Sequence, residues 1–456
     1  MSRAHNNIKQ AREMVFIDAT SSLDRYNSSV FIMSTSTPTS GIPLGVIVTS
    51  DEQATTIHRG LELLGEVLPE ETFNGKGVKH GPTIVMTDDS HTEREALHNF
   101  WPTANLLLCT FHFLQRRWTW LYDSKNHILK NDRTILIEKA KKLVYTNTET
   151  ELQKHYNSFL QSPEVKKYPK FYSHMQSLWA RRREWAHCYR RTILIRGNHT
   201  NNYAEAGMRI LKELIFSRVK AYNLVQIFYF ITEIMERYYQ SKLLSVAHSR
   251  VDRYISLRYQ GVNAKAYAKV TIKQIAKESF SVPSKTERGV AYYTDMKIGV
   301  CTCPRGQDGS PCSHQAAVVL HFGCTTVNCI PALNPEDKWK LAYIAYGKEC
   351  VQDLSFYTLI SKPVDTTKKS CEPQPSPTQQ QEKQQQHDIS TGWYAQSEYL
   401  QPQWCADDDT KQCNKEHDSD TTVSLKQETQ QQDQLCQVVD LISEDIKLIT
   451  KNCITR

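Results

Sequence analysis

The 456-residue chain lacks a long hydrophobic run. None of its apolar stretches reaches the roughly 18 to 20 residues that a membrane-spanning helix needs, so a membrane protein is not expected. The opening residues MSRAHNNIKQ contain no apolar stretch resembling a secretory leader. Without such a leader, the 13 cysteines are expected in a reducing compartment, where clustered Cys and His bind metal more readily than they form disulfides. An internal repeat is also missing, which argues against a solenoid or propeller. With 39% hydrophobic and 23% charged residues, the chain can build one large or two modest folded units plus a tail.

Charge is unevenly spread. From Asp365 to Arg456 there are 9 Lys+Arg against 16 Asp+Glu, a net of -7, so residues 1–364 carry 47 against 33, a net of +14. A basic folded part suits a polyanion such as DNA, because cationic side chains release counterions from phosphates. Solvated basic helix faces give the same composition, so charge leaves both readings open.

Hydrophobic patterning predicts an α/β fold with a mixed sheet. VFIDAT, SSVFIMSTS and IPLGVIVT read as three consecutive strands. A helix follows from about Asp51 to Leu68, with Ile57, Leu61, Leu64 and Val67 at helical spacing. TIVMTD then reads as a fourth strand, TEREALHNFW as a helix and ANLLLCTFH as a fifth strand. FHFLQRRWTWL, ILIEKAKKLVY and ELQKHYNSFL have helical spacing and predict an α-helical insertion over about residues 115–195. The Asn-rich turn RGNHTNN opens a further helix, YAEAGMRILKELIF, and short strands around FSVPS and VAYYTD precede a Cys/His cluster. From about residue 365 to 456 the chain is Gln-rich and acidic, too poor in apolar surface to offset chain entropy, and is expected to be disordered.

The strongest local signal is CTCPRGQDGSPCSH, a Cys-x-Cys-x8-Cys-x-His arrangement. Two close ligand pairs joined by a turn-rich loop, with Gly306, Gly309 and Pro311 supplying the turns, can wrap one tetrahedral zinc ion. Cys301, Cys303, Cys312 and His314 are the predicted ligands, and with all four positions filled the ion is expected to be structural. The helix QAAVVLHF behind His314 is expected to pack the site against a core, while Cys324 and Cys329 break the pattern and read as ordinary thiols. The spacing, the strands before it and the helix after it resemble the SWIM-type zinc finger.

Asp18 is read as ending the strand VFID, and Asp88 as ending TIVMTD. Carboxylates at neighbouring strand ends make a hard-oxygen site suited to Mg²⁺ or Mn²⁺. Asp equally often caps a turn or helix, so on pattern alone both readings stand. VFIDAT, MTDDSHTEREAL, LLLCTFH and TNNYAEAGMRILKE occur in the order and context of the Mutator-like (MULE) transposase domain, which this chain resembles over roughly residues 10–325. The resemblance implies a ribonuclease H-like fold with an Asp, Asp, Glu triad at Asp18, Asp88 and Glu205. It favours Asp88 over the adjacent Asp89, as does alternation along the strand.

The resemblance further implies metal-dependent phosphodiester cleavage and strand transfer by two divalent ions, DNA recombination as the process, and a nuclear location. Cys109 and His112 match that family's Cys-x-x-His, read either as a structural or metal-binding pair or as packed core residues. QRRW around Arg116 and WARRREW around Arg182 mix Arg with Trp, read either as phosphate and base contacts or as helix faces with their Trp in the core.

The implied organisation is a transposase domain at 10–235, a helical linker at 236–275, a SWIM finger at 276–325 and the tail. Members of that family carry a DNA-binding module ahead of the core, whereas about 14 residues precede the first strand here. A domesticated, non-catalytic zinc-binding nuclear regulator is therefore the alternative to an active transposase. DNA is the expected partner of either, and a homo-oligomer is compatible with both. In the tail, VVDLISEDIKLI reads either as a short amphipathic segment without a partner of its own or, by resemblance, as a SUMO-interacting motif, with Val438, Val439, Leu441 and Ile442 filling the modifier's groove and acids meeting its basic rim.

Overall fold

The computed structural model describes residues 2–360, apart from 22, 38–39, 217–222, 251–266, 268–269, 323–327, 329–334 and 349–350. Cys324, Cys329 and everything from residue 361 on, including Val438, Val439, Leu441 and Ile442, lie outside the described residues. Among the described residues no helix is long and apolar enough to cross a membrane.

The first sheet is mixed, with strand order β3-β2-β1-β4-β5. β1 (Met14–Thr20), β2 (Ser29–Ser36) and β3 (Gly41–Thr49) form an antiparallel meander, as the alternating runs predict. β4 (Ile84–Thr87) lies parallel to β1, with Phe16 opposite Met86, and β5 (Asn105–Leu108) lies parallel to β4. Parallel neighbours need crossovers, and the helices Ala54–Val67 and His91–Phe100 supply them.

Strand alternation divides the core between the two sheet faces. Val15, Ile17, Phe31, Met33 and Val85 meet Ile57, Leu61, Ala96 and Leu97 on one face. On the other, Met14, Phe16, Ile84, Met86 and Leu107 meet Ile195 and Ala204, while Val30 and Ile32 meet Met208 and Leu211. The helix Asn202–Arg209, continued as π-helix over Ile210–Ile215, thereby covers the second face. Val67 departs from expectation: it is 74% exposed, whereas Ile57 and Leu61 are buried and Leu64 packs against the core.

The expected insertion is helical, with principal helices Thr110–Tyr122, Lys130–Val144, Glu149–Gln161 and Pro169–Ala180 around their own core of Leu136, Phe159, Phe171 and Trp185. The stretch expected as a helical linker is helical over Glu236–Ala247, but a strand begins at Lys273. A second, antiparallel sheet follows, of β6 (Lys273–Ala276), β7 (Ser279–Pro283), β8 (Ala291–Asp295) and β9 (Val300–Cys301), with the helix Ser313–Phe322 packed on β7. The fold then continues beyond the expected limit near residue 325. Leu341, Ala342, Ile344 and Ala345 of the helix Pro335–Tyr346 join Ala4, Ile8, Leu243 and Val246 in the first core.

Candidate functional site

The Cys/His cluster is formed by a strand end, a tight loop and a helix start. Cys301 closes β9, Cys303 begins the loop, Cys312 immediately precedes the helix Ser313–Phe322 and His314 lies in its first turn. All four are buried, and their ligand atoms lie within 4.8 Å of one another. The loop closes through Cys301 N–H to Gly306 O (3.0 Å) and Gly306 N–H to Cys303 O (2.9 Å). Only glycine fits at 306, since a Cβ there would sit 2.5 Å from Cys301 Cβ.

Backbone N–H groups of Gly306 and Gln315 donate to Cys303 Sγ (3.3 Å) and Cys312 Sγ (3.5 Å), and Thr294 Oγ1 donates to Cys301 Sγ (3.4 Å). Such donors suit metal-bound thiolates. His314 Nε2 pairs with Tyr267 Oη at 3.1 Å, while its buried Nδ1 has no hydrogen-bond partner. Nδ1 is thus the nitrogen left for a metal, with Tyr267 fixing the ring. Four converging thiol and imidazole donors fit zinc and leave no open position.

Arg196 ties the finger to the end of the helix Lys9–Glu13, which leads into β1. Its guanidinium pairs with Glu13 through Nη2 at 2.6 Å, donates to Asn328 Oδ1 at 2.8 Å, and its backbone N–H donates to Asp308 O at 2.9 Å.

A second constellation lies on the first sheet. Asp18 is inside β1, opposite Ile32, two residues short of the strand end. Continuing the β1–β4 register by two residues sets it level with Asp88, the first residue after β4. Glu205 projects from the first turn of the helix Asn202–Arg209. Cys109 and His112 are not on a strand: β5 stops at Leu108, Cys109 caps the next helix and His112 lies in that helix's first turn.

His112 Nδ1 lies 2.5 Å from Asp88 Oδ1 and 3.7 Å from Glu205 Oε1. All three atoms are buried without an aligned hydrogen-bond partner. Burial pushes Asp18 up to about 7, with the charges of Asp88 and then Glu205 adding to it. Burial, with Asp88 adding to it, also raises Glu205, against the pull of His112. Desolvation lowers His112, but Asp88 and Cys109 outweigh it and hold the imidazole near 11. The charges of Asp88 and Glu205 thus reach Asp18, and that of Asp88 reaches Glu205, across three separate elements.

Asp89, one residue on, has a different task. It is buried against Arg117 (3.2 Å) and Arg181 (3.0 Å), which overcome its desolvation and lower its pKa. The arginine clusters around Arg116 and Arg182 are similarly occupied. Arg116 donates to Asp89 O, Arg181 pairs with Glu184 at 2.7 Å, and Arg182 lies over the Trp179 ring at 5.1 Å. These contacts tie the insertion together, and Trp185 lies in its core.

Three residues at this site escaped sequence reasoning. Glu93 follows Ser90 in a capping pattern, since Glu93 N–H donates to Ser90 Oγ at 3.4 Å, but its own carboxyl is buried with Oε1 unpartnered. Burial raises Glu93 well above the usual range, and Asp18 and Asp88 add to it. Asn201, fully buried, donates through Nδ2 to Ile17 O (2.8 Å) and through its N–H to Cys109 Sγ (3.3 Å). Arg190, also fully buried, donates to Thr110 Oγ1 (3.2 Å) and Leu108 O (2.5 Å), locking the insertion to β5. An asparagine-rich turn and an arginine run were visible, but not their burial.

Comparison with protein families matches residues 295–323 to the SWIM zinc finger, which places Cys301, Cys303, Cys312 and His314 within a domain of that class. No curated protein matches the chain.

Proposed function

We propose that the chain is a DNA-acting protein of Mutator-like transposase descent, with a ribonuclease H-like core whose Asp18, Asp88 and Glu205 hold divalent cations, and a SWIM finger that contributes to DNA binding in the nucleus. The convergence of three acids from β1, the end of β4 and the helix that covers the second sheet face carries this reading. Half-buried carboxylates set beside one another are unfavourable unless a cation or protons intervene. Buried oxygens without partners at Asp88 and Glu205 are what ligands of a hard cation would leave. The strand order, with β1 parallel to β4 and antiparallel to β2, and the net +14 of residues 1–364 support it as well.

Mg²⁺ or Mn²⁺ bound there would supply an activated water or 3′ hydroxyl and neutralise the leaving oxygen. Asp88 and Glu205 would act as oxygen ligands. Asp18, raised to about 7 chiefly by burial, would be held fully ionised by a bound cation. Asn201 steadies β1 at Ile17 and the Cys109 turn, keeping the carboxylates in register.

One observation favours the alternative of a non-catalytic regulator. His112, held protonated between Asp88 and Glu205, itself supplies a positive charge to the acids. A Mn²⁺-dependent strand-cleavage and strand-transfer assay on DNA separates the two. Cleavage by wild type that falls on the order of 10³-fold in Asp88→Ala is expected. DNA binding without cleavage by folded wild type would establish the regulator.

A further inference from the structure

We infer that Asp88, Cys109 and His112 form a second zinc-binding site, distinct from the finger. Asp88 follows β4 and Cys109 follows β5, and the pairing of Thr87 with Leu108 sets the two residues level at adjacent strand ends. The helix that begins at Thr110 brings His112 round to the same side as Cys109. One donor atom from each residue lies within 4.8 Å of the others. Among the described residues, the finger is the only other such grouping.

The donor chemistry separates this site from the hard-oxygen centre. A thiolate and an imidazole beside one carboxylate select a borderline-soft cation over Mg²⁺. Asn201 N–H donates to Cys109 Sγ at 3.3 Å, the same kind of contact that Gly306 N–H makes to Cys303 in the finger. Cys109 is the N-cap residue of the 13-residue helix Thr110–Tyr122, so its position is fixed where β5 gives way to that helix. The fully buried Arg190 donates to the carbonyl of Leu108, the residue before Cys109, and so holds this strand end in place.

Asp88 Oδ1 and His112 Nδ1 are buried and lack hydrogen-bond partners despite their 2.5 Å separation. A zinc ion would spread them to roughly 3.3 Å, the edge of a tetrahedron with bonds of about 2 Å. Glu205 Oε1, 3.7 Å from His112 Nδ1, or a water would take the fourth position. Because Asp88 belongs to both donor sets, zinc here and Mg²⁺ or Mn²⁺ at the acids would compete.

The site does not rest on strand cleavage, and its test does not read cleavage, so either reading can fail alone. The full-length chain is equilibrated with Zn²⁺ in excess Mg²⁺, and bound zinc is measured with Cys109→Ser and His112→Gln alongside. Two zinc ions per chain are expected for wild type and one for each variant. With Co²⁺ as probe, the ion lost in the variants should show a weaker sulfur-to-metal absorption than the finger ion, reflecting one thiolate instead of three. Thermal melting identifies any variant that fails to fold, and the other then decides. A single zinc in wild type, or a second zinc retained by a folded variant, overturns the inference.

Discussion

In the finger, the four ligands fall within 14 residues, whereas Asp18, Asp88 and Glu205 are spread over 188. A short loop can close around its ion with little help from the rest of the chain. The acids meet only after β1 and β4 pair and the helix Asn202–Arg209 settles across the sheet. Metal should therefore be part of folding in the first region, while in the second the fold comes first and a cation, on the proposed function, would offset the repulsion among the acids.

The largest expected effect follows from that difference. Cys312→Ser, or a strong chelator, should release the finger zinc and with it binding energy of about 10 kcal/mol or more. Hydrogen exchange should then show protection lost over β7 and β8 but kept in β1 and β4. Equal loss in both sheets would break the contrast.

The adjacent carboxylates sharpen it further. Asp89→Ala leaves Arg117 buried and unpaired, and should destabilise the chain by about 3–5 kcal/mol in urea unfolding. Asp88→Asn should cost less than this in metal-free protein, because the lost pairing with His112 is offset by removing a charge that raises Asp18 and Glu205. Similar losses in the two variants would show that Asp88 is simply another structural acid.

Histidines offer a third comparison. His314 keeps one buried nitrogen unpartnered, whereas His5 uses both: Nε2 meets Leu44 O at 2.9 Å and Nδ1 meets Thr72 Oγ1 at 2.6 Å. Burial, the largest influence, lowers His5 to about 4 against an ordinary value of 6.5. The unfolded chain thus takes up a proton before the folded one does. His5's contribution is full above about pH 6.5 and lost as pH falls towards 4, by about 3 kcal/mol. Urea unfolding in this window should show that loss, and His5→Gln should flatten it. An unchanged slope in the variant would assign the acid sensitivity to other groups.

The smallest effect concerns the support of the finger. Tyr267→Phe removes the partner of His314 Nε2 and should weaken zinc binding about 10-fold, by competition with a chelating dye. No change would mean that Nε2, not Nδ1, faces the metal.

The same contrast explains what was legible in the sequence. Zinc ligation was readable from spacing alone, because the site's geometry is written in its loop. The strands of the first sheet were readable from alternation. Asp88 stood out at a strand end, but Glu205 needed the family resemblance, since nothing local distinguishes it from an ordinary first-turn glutamate. Cys109 and His112 were placed on a strand because LLLCTFH is apolar and β-rich throughout, while in the structure Cys109 ends the strand's pattern by capping a helix. Glu93 and Asn201 were hidden because burial of a polar side chain depends on long-range packing. The helix Pro335–Tyr346 went unread because its contribution to the first core lies more than 300 residues from Ala4 and Ile8.

The central claim, that Asp18, Asp88 and Glu205 form one divalent-cation centre, is tested most directly by Mn²⁺ titration of the full-length chain, read by electron paramagnetic resonance with the finger zinc in place. Wild type should show saturable binding that is abolished in Asp88→Ala and weakened at least about 10-fold in Glu205→Gln, each ligand lost costing at least about 1.4 kcal/mol. Equal Mn²⁺ affinity in all three proteins, or none in folded wild type, would contradict the account.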